Sequence, residues 1–428
     1  MDVSMLVVAM PFPFVGGGGL RAYRSLRRYI KYGFNIYLHL PFGIYQAVIF
    51  NKEATLKHLK HLKIMGVKFA GFSYPIDIAR NLMPKRVDLY IKSILPSISP
   101  SLFTGFRNVV ENEEISLVMS LHEPLDSLYA TIKLSERLGN VKTIALLQLP
   151  PLYGSKKRVE NILTTMKIWY WATLDNCYER LLALLRLNIK NSAERKHMLD
   201  ILDRITYFIA ISKAIFEEMG EGFRGRRYAF DPGVSLNEED VAIINSFSGC
   251  EKKDIIVFGG RPSAEKGLIE GLLAFKSLSK KYNNMKLYIT GNISETLIAR
   301  LKNFCKKLGI ENKVIFTGFV PRAERFRIIS QAKLMLYPSH VDGFPYAVLE
   351  SLYLGTPIVG YNIPALRIYY SELGGVKLVK ELDIEALSIE AINAIESKLY
   401  REVEKPEIKS WNDIMNEETS LIEKLALE

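Results

Sequence analysis

Two cations, Arg261 and Lys266, stand five positions apart in Gly259-Gly260-Arg261-Pro262-Ser263-Ala264-Glu265-Lys266-Gly267, directly after the apolar run Ile255 to Phe258. Arginine offers a planar fork of donors and lysine a mobile point charge. Together they can grip a diphosphate and neutralise the charge that builds when it departs. The plainer alternative is a surface pair bound to the local carboxylates Glu265 or Glu270. Further along, Pro338 to Glu350 holds two carboxylates, Asp342 and Glu350. With a helix from Phe344 onward they lie roughly two turns apart on one side, Asp342 in the loop at the helix N-terminus and Glu350 deeper. Carboxylates accept hydrogen bonds from sugar and ribose hydroxyls, and this spacing reaches both ends of a nucleotide sugar. Taken alone, the pair reads as an N-cap aspartate and an exposed glutamate.

Gly16-Gly17-Gly18-Gly19 lies between the apolar run Ser4 to Met10 and a helical pattern. There glycines let the backbone approach a ligand and leave helix N–H groups aimed at an anion. The run departs from the dinucleotide fingerprint G-x-G-x-x-G at Ala22 and Tyr23, and no Walker lysine follows, so a flexible turn is the other reading and a nicotinamide dehydrogenase is the weakest class. His58 and His61 have the spacing of one helix face and are expected to be solvated rather than metal ligands. Cys177, Cys250 and Cys305 lie far apart, and neither a Cys-x-x-Cys nor an Asp-x-Asp occurs, so no metal or redox motif is readable.

These segments need elements to hold them. Apolar runs at Ser4 to Met10, Ile36 to Leu40, Phe69 to Phe72, Leu117 to Leu121, Thr143 to Gln148 and Tyr207 to Ile211 read as strands, spaced widely enough for crossover helices. Leu20 to Tyr32 reads as a helix, with Leu20, Tyr23, Leu26 and Ile30 on one face and Arg21, Arg24, Arg28 and Lys31 on the other. The rhythm resumes with strands at Ile255 to Phe258, Lys286 to Thr290, Val314 to Phe316, Leu334 to Tyr337 and Pro357 to Val359. Two doubly wound α/β domains follow, divided near Asp231-Pro232-Gly233, with ligands expected at the carboxyl ends of the strands. Ser155 to Lys196 reads as a long helical stretch whose Trp169, Tyr170, Trp171 and Leu181 to Leu185 are expected to pack in the core, an interfacial or acceptor-contacting helix being the other reading. Pro84 to Arg107 mixes Lys85, Arg86, Lys92 and Arg107 with Tyr90, Leu95, Leu102 and Phe103, which suits a loop and helix or a headgroup-level surface.

The 428 residues are 48% hydrophobic and 24% charged, which excludes disorder, collagen and disulfide scaffolds and predicts two or three domains. No run reaches the ~18 apolar residues of a spanning helix, and the start lacks the basic flank of a secretory signal, so a soluble or peripheral cytoplasmic protein is expected. Net charge is +11, and residues 1 to 100 hold 14 Lys plus Arg against four Asp plus Glu, a local +10. Such charge attracts phosphates in nucleic acid, lipid headgroups or small substrates, or simply forms a solvated face. Aromatics interleaved on a basic sheet, as nucleic-acid binding requires, are not evident.

Motif order carries the identification further. Gly17 to Gly33, Ile211-Ser212-Lys213, Pro232-Gly233-Val234, Gly260-Arg261 with Lys266-Gly267, Thr317-Gly318-Phe319-Val320, Tyr337-Pro338-Ser339, Asp342 to Glu350, Gly355-Thr356-Pro357-Ile358-Val359 and Ser410-Trp411 follow one another as in a known family. The chain resembles a retaining glycosyltransferase of family 4 with the GT-B fold. The resemblance implies two Rossmann-like domains facing a central cleft: 1–232 on the acceptor side, 233–408 for the nucleotide-sugar donor, and 409–428 as a helix crossing back. It also implies that Arg261 and Lys266 bind the donor diphosphate, Glu350 the ribose, and Asp342 the donor-sugar hydroxyls. Gly343 and Phe344 would meet sugar or phosphate, and Val320 the base. Gly17 and Gly18 would approach the diphosphate and acceptor, and His122 would lie near the reacting sugar, although a buried hydrogen-bonded histidine reads equally well.

The implied reaction moves a sugar to a hydroxyl acceptor with retention, without metal or cofactor. A polyprenyl-phosphate-linked or glycolipid acceptor at an anionic membrane suits the basic first domain. Asp342 stands where the family usually has glutamate, Pro345 replaces a glycine and removes an N–H, and Asn362-Ile363-Pro364-Ala365-Leu366 replaces Gly-Gly-x-Pro-Glu. These departures touch donor identity most. A sugar-nucleotide epimerase and a noncatalytic GT-B protein binding a membrane or partner are the competing classes.

Overall fold

The computed structural model describes residues 3–14, 17–41, 47, 51–73, 113–247 and 249–428. The mixed basic and aromatic stretch Pro84 to Arg107 lies outside the described residues, as does Gly16.

Seven parallel strands make the first sheet: β1 (Ser4–Val8), β2 (Asn35–Leu40), β3 (Lys68–Phe72), β4 (Leu117–Ser120), β5 (Thr143–Leu147), β6 (Tyr207–Ala210) and β7 (Arg226–Ala229), in the order β3-β2-β1-β4-β5-β6-β7. Helices α1 (Gly17–Tyr32), α2 (Lys52–Ile64), α3 (Leu125–Arg137), α4 (Lys156–Thr173), α5 (Cys177–Leu202) and α6 (Lys213–Met219) accompany it. The second sheet has six parallel strands, β8 (Ile255–Phe258), β9 (Lys286–Thr290), β10 (Val314–Gly318), β11 (Leu334–Tyr337), β12 (Ile358–Tyr361) and β13 (Val376–Val379), ordered β10-β9-β8-β11-β12-β13. With it run α7 (Glu238–Asn245), α8 (Leu268–Lys281), α9 (Glu295–Leu308), α10 (Arg322–Gln331), α11 (Tyr346–Tyr353), α12 (Pro364–Tyr370), α13 (Ile384–Glu396) and α14 (Trp411–Leu427). Helices cover both faces, so the central strands β1, β4, β5 and β11 are mostly apolar and buried along their whole length.

Strand order reverses between β1 and β4 in one sheet and between β8 and β11 in the other. Such switch points open a crevice at the carboxyl ends of the strands. The four segments that leave those ends contain Gly17 to Gly19, His122, Arg261 to Lys266, and Asp342.

Three elements depart from expectation. The glycines form the first turn of α1 rather than a loop ahead of it. Only glycine fits at position 19, where a methyl group would lie 2.3 Å from the Phe12 carbonyl oxygen. The basic face of α1 is only partly solvated, because α14 covers its start: buried Arg21 pairs with buried Glu418, and the Trp411 ring lies 5.1 Å from the Arg21 guanidinium and 5.4 Å from that of Arg24, while Lys31 stays exposed. Ile422 and Leu425 of α14 complete the first sheet's core. The stretch Ser155 to Lys196 is two helices, α4 and α5, broken before Asn176, whose side chain caps α5. Trp171, Leu181 and Leu185 are exposed rather than in the core, while Trp169 packs against it. The hairpin leans outward onto the second sheet's helices, with Trp171 edge-on to Phe304 at 5.7 Å and Asp175 paired with Lys307 at 3.2 Å. His58 is not simply solvated either: its ring lies among those of Phe12, Phe14 and Tyr23.

Among the described residues no helix is long and apolar enough to cross a membrane.

Candidate functional site

Three groups of side chains assemble around the facing strand ends. In the first, Gly18, His122 and Gln148 converge from α1 and the ends of β4 and β5. A methyl on Gly18 would stand 3.5 Å from Gln148 Oε1 and 3.8 Å from His122 Nδ1. Gln148 Nε2 donates to the carbonyls of Gly18 at 3.2 Å and Leu121 at 2.9 Å, locking the three loops together. Burial lowers the His122 pKa to about 4 against the pull of a hydrogen bond to the Met10 backbone, so the imidazole is neutral, and its buried Nε2 has no partner. Beside it, burial raises the Glu123 carboxyl to about 7, although backbone hydrogen bonds, one from the Gln148 N–H, work the other way. Gly17 lies exposed at the start of α1.

The second group is built on the ends of β8 and β11. Lys266 Nζ donates to Asp342 Oδ2 at 2.7 Å and to the Val341 carbonyl at 2.6 Å. Tyr337 donates to the same Asp342 oxygen at 2.5 Å and Ser339 at 3.2 Å. Neither of the local carboxylates near Lys266 takes it: Glu270 turns to Thr165 and His340 instead. Arg261, exposed, has no side-chain hydrogen bond or ion pair among the described residues. The structure thus separates the two cations. Lys266 is buried and held by Asp342, and Arg261 is exposed in the loop after β8.

The third group centres on Glu350, 2% exposed on α11. Its Oε1 accepts from Arg325 at 2.6 Å and from Arg322 at 3.3 Å, while Oε2 is buried without a partner. Arg322 also pairs with Asp240 at 2.8 Å. The N-cap reading of the two carboxylates fails on both counts. Pro345 rather than Asp342 caps α11, because a proline disfavours helical backbone at Phe344, and Glu350 is not exposed. Asp342 and Glu350 accordingly serve different partners. Val320 is half-buried in the loop after β10.

Contact between the two sheets runs through Gly343. Its carbonyl accepts from Ser212 at 2.6 Å, and a methyl at this glycine would lie 2.2 Å from the Gln148 carbonyl oxygen. Phe344 stays in the core of the second sheet, edge-on to Tyr369 at 5.1 Å. Gln148, Tyr337, Glu123, Ser212, Arg322 and Arg325 were not singled out as site residues from sequence. The available signal was positional for four of them, since Gln148, Tyr337, Glu123 and Ser212 sit at or just beyond strand ends.

The geometry offers a buried cation beside a carboxylate, a second carboxylate with an open oxygen, and a neutral histidine across the crevice. That set can hold an anion at one end and hydroxyl-bearing groups at the other.

Comparison with known proteins agrees. Residues 243–408 match the family described as glycosyl transferases group 1. The chain is 29% identical over 150 residues to the uncharacterized glycosyltransferase MJ1607 of Methanocaldococcus jannaschii, covering 35% of this chain and 37% of that one. It is 29% identical over 161 residues to alpha-monoglucosyldiacylglycerol synthase of Streptococcus pneumoniae, covering 37% and 36%. The aligned segments therefore span little more than a third of these curated relatives. Among solved structures, sucrose-phosphate synthase from Thermosynechococcus elongatus superposes with a TM-score of 0.60 at 12% identity over 99% of each chain. Anabaena HepE in complex with UDP and glucose does so at 0.59 and 14%, over 99% of this chain and 100% of that one. At such identities the likeness is one of fold, two facing parallel sheets of the GT-B kind. Residues 243–408 are thus similar to the group 1 glycosyl transferases, and the chain along its whole length has the fold of the GT-B structures.

Proposed function

We propose that the protein is a retaining glycosyltransferase that moves a sugar from a nucleoside diphosphate sugar to a hydroxyl acceptor. The observation that carries this reading is the buried Lys266–Asp342 pair at the carboxyl ends of β8 and β11, joined to the Gly18 and His122 group by the contact of Gly343 with Gln148. In the proposed reaction the bond from the anomeric carbon to the diphosphate oxygen breaks. The acceptor oxygen bonds to that carbon on the same face, and its proton passes to the departing phosphate. Lys266 and Arg261 stabilise the leaving charge, so no metal is needed. Asp342 holds sugar hydroxyls, Glu350 Oε2 accepts from the ribose, and the Val320 loop lies by the base.

The acceptor is proposed to be lipid-linked, with the protein bound peripherally at an anionic surface. The local +10 of residues 1 to 100 supports this, as does the likeness to an enzyme named for a glucosyldiacylglycerol.

A thermal-shift and hydrolysis panel of UDP-, GDP- and ADP-sugars without added metal tests the donor reading. One nucleotide sugar is expected to stabilise the natural chain, with that stabilisation lost in Lys266→Ala. If none binds, the donor site is misread and a noncatalytic role replaces it. Conversion of the donor to an epimeric sugar or nucleotide sugar, rather than simple hydrolysis with retention, would favour an epimerase.

A further inference from the structure

One face of α4 reaches across from the first sheet to the second. Arg158, Asn161 and Thr165, at helical spacing, meet the two donor-side loops from outside. Arg158 donates to Glu218 of α6 at 2.7 and 2.9 Å, to Glu381 at 2.5 Å and to the His340 carbonyl at 2.5 Å. Asn161 donates to the other Glu381 oxygen. Thr165 meets Glu270 at 2.5 Å and the Ala264 carbonyl at 3.1 Å. The His340 ring bridges Glu381 at 2.6 Å and Glu270 at 3.1 Å.

This cluster is nearly dry: the side chains of His340, Glu270, Glu218, Glu381 and Arg158 are 0, 1, 3, 8 and 13% exposed. A buried ionic network is a weak source of stability, because desolvation consumes most of its Coulombic gain. Its evident effect is registration. Ala264 lies two residues before Lys266, and His340 two before Asp342, so α4 grips each loop next to the residue that bears the chemistry.

We propose that Arg158, seconded by Thr165, is a positioning residue for donor turnover: it sets the Lys266–Asp342 geometry from the first sheet and forms it only when the two sheets are docked. The proposal rests on the donor-site reading above. Arg158 is remote in contact from Val320, Glu350 and the arginines that hold Glu350, so it acts on the diphosphate and sugar end and leaves the nucleoside end alone.

The test uses Arg158→Lys and Thr165→Val in the full chain. Lysine keeps the charge between Glu218 and Glu381 but lacks the fork that also reaches the His340 carbonyl. Valine keeps the shape of Thr165 without its hydroxyl. Binding of UMP, GMP and AMP, which keep the nucleoside end and lack the β-phosphate, is measured by calorimetry, and hydrolysis of UDP-glucose, GDP-glucose and ADP-glucose at saturation gives turnover. For the nucleotide that binds the natural chain, affinity is expected to stay within about twofold while turnover falls at least about tenfold in Arg158→Lys and by less in Thr165→Val. Unchanged turnover overturns the proposal. So does a parallel loss of affinity, turnover and thermal midpoint, the pattern of a merely structural contact. If none of the three nucleotides binds the natural chain, the donor reading falls first and the positioning role falls with it.

Discussion

Asp342 is held by three donors on a single oxygen, and the Tyr337 hydroxyl, fully buried, is the shortest of them. Tyr337→Phe is expected to cost about 1–2 kcal/mol in chemical denaturation and to lower turnover several-fold, with nucleotide affinity kept. His122 and Glu123 make a paired pH prediction. The native His122 pKa is about 4 against an ordinary 6.5, so as pH falls from 6.5 to 4 the unfolded chain takes up a proton the native one refuses, and stability drops. Native Glu123 holds its proton to about 7 against an ordinary 4.5, so its contribution is present at low pH and is lost as pH rises from 4.5 to 7. The two slopes oppose each other over the shared window. His122→Gln is expected to give a protein that loses stability as pH rises toward 7, and Glu123→Gln one that loses it as pH falls toward 4, read as urea midpoints against pH. Identical profiles in both variants would refute the assignment. Sequence reading marks residues whose neighbours in the chain announce them, such as Lys266 in its glycine-flanked turn. It passes over Gln148 and Arg322, single polar residues whose partners lie in other elements along the chain.

Among elements, α14 is the clearest example of a long-range dependence. Glu418 accepts from Arg21, Tyr29 and Ser25, all buried against it. Glu418→Ala leaves the Arg21 guanidinium buried and unpaired, which is expected to cost about 3–5 kcal/mol in unfolding free energy. A change below about 1 kcal/mol would mean that water or a shift of α1 rescues the charge. The strands β8 and β11 are legible to the residue because buried parallel strands are unbroken apolar runs, and β9, Lys-Leu-Tyr-Ile-Thr, because polar ends bound its apolar centre. By contrast β7 and β13 are edge strands, reading Arg-Arg-Tyr-Ala and Val-Lys-Leu-Val, and their half-exposed pattern carries no such signal. The period of α1 was legible too, but not the identity of what covers its basic face, since nothing local to Arg21 says that a helix 397 residues away will supply an acid.

At the scale of the molecule, the two sheets meet backbone to backbone at Gly343 and Gln148. A methyl group there has no flexible side chain to push aside, so Gly343→Ala is expected to part the two halves. Small-angle scattering should then show a larger radius of gyration, and turnover should fall by more than about tenfold, since neither half holds all the groups. Unchanged scattering and turnover would show that this contact does not set the docked state. The route of the chain carries one more consequence. Because α14 is made after every element of the second sheet yet finishes the core of the first, the half that leaves the ribosome earliest is completed last. At ~5–20 residues per second, the 397 residues between Arg21 and Glu418 take roughly 20–80 s to synthesise. Through that interval α1 lacks both its acid and the apolar face of α14, which leaves the nascent first half with core surface open to chaperones.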